Sequence, residues 1–316
     1  MDQSILSSRA VIGRYYALRE ASAGLPWVDG VSNFFTSDQK SEDYAFLGMS
    51  PAYREWVGGR QAKGLRQNTF SIVNVHYEKA LQFRLVDLRR DKTGQIDARL
   101  QEFIGGEDTH WASLLTTLMM NGTSTVCYDG QYFFDTDHSE GDSGTQDNDI
   151  TVDISALPAT LHGTVTSPSK EEFQQSIIKG IAQILGFKDD QGEPMNEDAK
   201  EFLIIVPLAL FIAATAAVAD IVNAALANNM NPNLIAGLTV RVQMNPRLTW
   251  TDSFAVFRTD SPVKAFIRQS ETEPTIKAKA EGSDFEYDND AWEFGLDRWC
   301  NVGYGLWQRG CYVTMI

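Results

Sequence analysis

At 316 residues, with 43% hydrophobic and 22% charged side chains, the chain can fill one large or two ordinary domains and is too apolar to be disordered. A net charge of −15 argues against a surface that grips nucleic-acid phosphates through lysine and arginine. Three scattered cysteines, Cys127, Cys300 and Cys311, form no C-x-x-C pair; they exclude a disulfide framework and suit a reducing compartment.

The N-terminus has no basic start followed by an apolar run, so no export signal is expected. A helix is predicted near Arg9–Ala21, followed by an extended arm to residue 53. Residues 54–92 change character, with nine basic residues against four acidic ones, so this segment is +5 and the rest −20. Phe70, Ile72 and Tyr77, then Leu81, Phe83 and Leu85, alternate as a strand pair, and Gly58, Gly59 and Gly64 mark its turn. A basic ribbon on an acidic protein calls for an acidic partner, and another copy of the chain is the nearest candidate.

Ile96–Asn121 predicts a long helix, with Leu100, Phe103, Ile104, Trp111, Leu114, Leu115, Leu118 and Met119 on one stripe. Gly105-Gly106 should bend or interrupt it. Residues 129–153 hold eight acidic residues and no lysine or arginine, which predicts a polar loop. Ser169 and Glu172 form a capping box ahead of a helix carrying Phe173, Ile177, Ile181 and Ile184. Phe202–Ala219 is uncharged over eighteen residues, the length of a membrane span. Its β-branched start, its internal Pro207 and the lack of a positive flank favour a strand, then an alanine-rich core helix to about Ala227. Leu238–Val242, Phe254–Phe257, Val263–Gln269 and Glu286–Cys311 supply further strands, so the fold class is α+β.

The stretch CYDGQYFFDTDH, Cys127–His138, is dense in ligand-type residues. Asp135, Asp137 and His138, with Cys127 as a thiolate, could hold a metal ion. No second histidine stands at ligand spacing, and H-E-x-x-H, Walker, nucleophile-elbow and dinucleotide motifs are absent. Neither a cofactor nor an enzyme is expected.

Three blocks resemble, in order, the major head subunit of Mu-type phages. The first is SPAYREWVGGRQAKGL, with Arg54, Glu55, Trp56, Arg60, Lys63 and Arg66. The second is the Cys127–His138 stretch, with Tyr128, Asp129, Gly130, Phe133, Phe134 and His138. The third is GLDRWCNVGYGLWQ, with Arg298, Gly303, Tyr304, Gly305 and Trp307. The resemblance implies the tailed-phage and herpesvirus (Hong Kong 97-like) capsid fold. It places an N-terminal arm at 1–53, an extended β-loop at 54–92 that forms an assembly interface, and a peripheral domain at 93–164 with its spine helix at 96–121. An axial domain at 165–252 and a return to the peripheral domain at 253–316 complete it. The Cys127–His138 residues then become a structural signature. The implied role is self-assembly into hexamers and pentamers of an icosahedral head around double-stranded DNA, without membrane. Scaffold, portal and decoration proteins are the implied partners, and the virion, built in the host cytoplasm, the location. An encapsulin-like nanocompartment shell and a metal-dependent hydrolase are the alternative readings.

Overall fold

The computed structural model describes residues 7–22, 24–44, 70–90, 94–227, 234–235 and 237–316. Helix α1 (Ser8–Ala21) starts where the Ser7 hydroxyl accepts the Ala10 N–H, an N-cap that satisfies an otherwise orphaned donor. Then come α2 (Pro26–Val31), β1 (Ser32–Thr36), β2 (Ser41–Tyr44), β3 (Phe70–Val73), β4 (Val75–Arg84), α3 (Leu85–Arg90), α4 (Gln95–Met120) and β5 (Asp149–Val152). The second half holds α5 (Lys170–Gly186), β6 (Glu201–Val206), α6 (Phe211–Ala227), β7 (Leu234–Ile235), β8 (Leu238–Met244), β9 (Ser253–Arg258), β10 (Phe266–Ser270), β11 (Thr275–Lys279), α7 (Asp284–Asn289), β12 (Ala291–Tyr304) and β13 (Gly310–Met315).

Two mixed sheets organise the chain. The first has the order β1-β10-β12-β11, with β4 along the other side of β12. The β4–β12 pairing is antiparallel over ten residue pairs, from Ala291↔Arg84 to Cys300↔Val75. The second sheet has the order β5-β13-β9-β6-β8-β7. In it β6 and β8 run parallel, joined through α6, as parallel strands need a crossover. Phe202–Val206 is buried as strand β6, and among the described residues no helix is long and apolar enough to cross a membrane. The predicted capping box at Ser169 and Glu172 is formed at the start of α5.

Helix α4 ties two cores together. Its first half buries Ile96, Leu100 and Ile104 against α1 and the β4–β12–β11 ribbon, beside Val11, Tyr15, Phe83, Trp292 and Phe294. Its second half places Ala112, Leu115 and Met119 in the main core. The helix runs unbroken through Gly105-Gly106, so the expected interruption does not occur.

Several expectations are corrected here. The stretch after α1 is no free arm: Trp27, Val28 and Val31 enter the main core, and β1 pairs in parallel with β10. The basic segment 54–92 is not one projecting ribbon. Strand β4 belongs to the body, while β2 and β3 pair with each other and residues 45–69 between them lie outside the described residues. The 129–153 stretch contributes β5, and His138, Asn148, Ser143 and Gln146 are buried within it. The expected 165–252 unit is not closed in sequence either, because β5, β9 and β13 complete its sheet.

Candidate functional site

Two of the three sequence blocks meet face to face in the main core. Gly130, with φ of 93°, turns the chain so that Asp129 can accept the Gln131 N–H at 3.1 Å. The Phe133 ring stacks on Tyr304, centroids 4.7 Å apart, and the Tyr304 hydroxyl donates to the Leu118 carbonyl of α4 at 2.8 Å. Phe134 stacks on Tyr312 of β13. The His138 ring lies flat on Trp307, centroids 3.9 Å apart at 8°. The Tyr128 hydroxyl donates to the Gln308 amide oxygen at 3.1 Å. The glycines of the third block serve close approach: a Cβ on Gly303 would lie 2.4 Å from Ile72 Cδ1 of β3, and one on Gly305 2.6 Å from the Lys264 carbonyl oxygen.

His138 is fully buried between two acceptors. Its Nδ1 donates to Asp129 Oδ2 at 2.6 Å, and its Nε2 faces Asn148 Oδ1 at 3.2 Å. The orientation of the Asn148 amide is fixed from outside: its oxygen accepts the Asp135 N–H and its nitrogen donates to the Phe133 carbonyl, both at 2.8 Å. Both ring nitrogens thus face an oxygen held in place by other contacts. Burial works against the Asp129 carboxylate, but hydrogen bonds from His138 and Cys127 outweigh it and hold the group below the usual carboxylate range.

The metal reading changes accordingly. Asp137 is exposed and Asp135 spends its carboxylate on the Tyr132 and Thr136 N–H groups, so Asp135, Asp137 and His138 do not converge. The atoms that do converge, within 4.8 Å, belong to Cys127, Asp129 and His138. They are engaged with one another: the Cys127 thiol donates to Asp129 Oδ1 at 3.0 Å, and burial pushes its pKa far up. A thiolate ligand is disfavoured there. Hydrogen bonds account for these three side chains without an ion.

Arg298 stands apart from this cluster, on the face of β12 toward α4, with its guanidinium 4.4 Å over the Trp111 ring. The first-block residues Arg54, Glu55, Trp56, Arg60, Lys63 and Arg66 lie outside the described residues. Asn148, the hub of the cluster, carries no sequence signal; a lone asparagine in a polar stretch looks like any turn residue.

A family model described as "Mu-like prophage major head subunit gpT" matches residues 17–156 and 239–314, more than half of the chain. The major head subunit of the Mu-like prophage FluMu of Haemophilus influenzae is 32% identical over 111 residues, 35% of this chain and 36% of that protein. The major capsid protein of Escherichia phage Mu is 31% identical over 102 residues, 32% of this chain and 33% of that protein. The chain spans about a third of the length of the curated relatives it matches. Among solved structures, the procapsid of bacteriophage JBD30 aligns with a TM-score of 0.55 at 19% identity, over 97% of this chain and 74% of that one. The capsid of cyanophage P-SCSP1u aligns with a TM-score of 0.55 at 11% identity, over 93% and 88%. The fold is therefore the Hong Kong 97-like phage capsid fold that the three blocks imply. The chain belongs to the Mu-like prophage major head subunit gpT family.

Proposed function

We propose that this chain is the major capsid subunit of a Mu-like phage, a building block without catalysis. Copies form hexamers and pentamers, and these close into an icosahedral head around double-stranded DNA. Scaffold, portal and decoration proteins are its partners, and the virion its location. One observation carries this reading: the second and third family blocks dock on each other as a buried, ring-stacked and hydrogen-bonded cluster within a capsid fold. An acidic chain also suits a shell that leaves its genome free to move.

Residues 45–69, between the paired strands β2 and β3, include the first part of the segment 54–92 expected as the extended loop. They carry Arg54, Arg60, Lys63 and Arg66 against Glu55 alone. This surplus steers the loop to acidic surface on a neighbouring copy. Exposed ion pairs contribute only about 0.2–1 kcal/mol each, but a closed shell repeats them in every subunit. Reversing Arg60 and Arg66 to glutamate leaves a folded subunit by circular dichroism that fails to sediment as particles. Normal particles from that double variant at low salt would show that charge in the loop does not direct assembly.

A further inference from the structure

We propose that the cleft between α4 and the β4–β12 ribbon is an assembly socket, and that its occupant is α7 of a second copy of this chain. The inference rests on the capsid reading and adds to it a named pair of surfaces.

The cleft has a volume of about 170 Å³ and is lined in part by Tyr77, Lys79, Gly106, His110, Leu296 and Arg298. Its cations are under-used. Arg298 Nε is buried without a hydrogen-bond partner, and among the described residues no carboxylate lies within ion-pair distance of the guanidinium. The Lys79 ammonium donates to the Phe103 carbonyl of α4 and lies 4.3 Å over the Phe103 ring, again with no ion pair among the described residues. Of the three carboxylates along the cleft, Glu78 alternates onto the face of β4 opposite Tyr77 and Lys79, and the other two are engaged elsewhere. Glu107 accepts from the Tyr15 hydroxyl at 2.6 Å and faces Arg19 at 3.6 Å, while Asp297 pairs with Lys277 and His76. Burial, then the charges of Arg298 and Lys79, push the His110 pKa down to about 4, so its ring adds no charge to the cleft at neutral pH.

The glycine pair of α4 finds its use here. Gly106 faces the cleft, and a Cβ on it would lie 3.2 Å from Lys79 Nζ. The missing side chain of Gly106 leaves the side of the helix open where Lys79 reaches across.

Helix α7 has the complementary character. It buries no residue, and Tyr287 within it is 91% exposed. Asp284, Asp288 and Asp290 are exposed, and among the described residues none of the three pairs with a cation. Glu286 anchors the helix instead, accepting from Trp292 Nε1 at 2.9 Å and from the Gly282 N–H at 2.6 Å. An aromatic ring flanked by free carboxylates fits a cleft walled by Tyr77, Pro274 and Leu296 and floored by Arg298 and Lys79.

The same copy cannot make this contact. Helix α7 ends just before Ala291, and Arg298 lies seven residues further along one straight strand, roughly 20 Å away. The occupant comes from another copy. A contact between two different patches is head-to-tail, and it closes into a ring when the rotation permits, as a capsomer requires.

The test is a cross-link. Cys127, Cys300 and Cys311 are all buried, at 5% exposure or less, so Thr109→Cys, exposed on α4 beside His110, and Asn289→Cys on α7 provide the accessible thiols in the full-length chain and leave Tyr287 in place. Mild oxidation of particles of the double variant should give a ladder of linked subunits, with the 109–289 linkage found by mass spectrometry and the ladder missing from either single variant. In a second measurement Asp288→Lys, an exposed change, should cut particle yield at least tenfold with circular dichroism unchanged. Normal particles with no 109–289 linkage, or with position 109 joined to a different segment, would overturn the socket and leave the capsid reading standing. A wild-type chain that forms no particles would overturn both.

Discussion

Strand β12 passes through two environments that differ in kind. Just beyond its C-terminal end, Trp307 lies in the closed core, and the Asp129, His138 and Asn148 groups beneath it satisfy one another. In its middle, Arg298 lies in a half-open cleft; its Nε lacks a hydrogen-bond partner, as the buried Trp307 Nε1 does, but Arg298 is also a charge with no ion-pair partner among the described residues. Buried polar groups in a finished core are paired because leaving them unpaired costs about 1–3 kcal/mol each. A charged group without a counter-charge beside an open cleft is what the proposed socket requires. The strand thus runs from an open cleft to a core closed by the subunit's own groups.

Removing a side chain from each environment sharpens this contrast most. Trp307→Ala should cost about 3–5 kcal/mol, as for large aromatic cavities, and expose the buried His138–Asp129 pair. Arg298→Gln should cost less than about 1 kcal/mol, since it loses mainly contact with Trp111. Denaturant midpoints of the two variants decide the matter. An Arg298→Gln loss as large as that of Trp307→Ala would mean that the cleft is core and the contrast is false.

The elements themselves were legible in the sequence because periodicity and caps are local. The α4 stripe, the Ser169–Glu172 box and the β6 apolar run all form where the pattern puts them. Pairing partners were not legible. The alternation of β3 continues into β4 with only Asn74 between them, yet β3 pairs with β2 and β4 with β12, some two hundred residues on. Side-chain alternation says which residues share a face and nothing about which strand lies alongside. The same limit hid β1, whose Phe34 and Phe35 looked like part of an arm until β10 paired with them. In the signature cluster, the family blocks marked Asp129 and His138, but Asn148 came only from the geometry. Acidic residues near the cluster misled in another way: their charge suggested solvent, and Asp149 lies in a strand of the second sheet.

That strand offers a second, smaller test of what belongs to the core. Burial, then the neighbouring Asp147 and Asp135 carboxylates, raise the Asp149 pKa from the ordinary 3.8 to about 6. The folded state then binds this proton more tightly than the unfolded one. Its contribution to stability is complete below about pH 4 and is lost as pH rises through about 6. Discounted for the partial exposure of the carboxylate, Asp149→Asn should therefore stabilise the subunit at neutral pH by on the order of 1 kcal/mol. Thermal midpoints between pH 4 and 8 should flatten in the variant relative to the parent. An unchanged pH profile would show that the three carboxylates are solvated, and that this edge of the sheet is surface.

The smallest effect probes the glycine pair of α4. Glycine in a helix interior costs about 0.8–1 kcal/mol relative to alanine, so two in succession in a core helix call for a reason. A Cβ on Gly105 meets nothing within 4 Å, whereas one on Gly106 meets the Lys79 ammonium at 3.2 Å. Gly105→Ala should thus stabilise the subunit by nearly the full propensity difference, and Gly106→Ala by less, because Lys79 must shift from the Phe103 carbonyl. The difference between the two variants, a few tenths of a kcal/mol, is within reach of paired denaturant titrations. If the pair exists only to bend or loosen the helix, both variants gain equally and particle yield is unchanged. If it keeps the cleft open, Gly106→Ala gives a subunit at least as stable as the parent that assembles less well, because the gain in the helix is made at the expense of the socket.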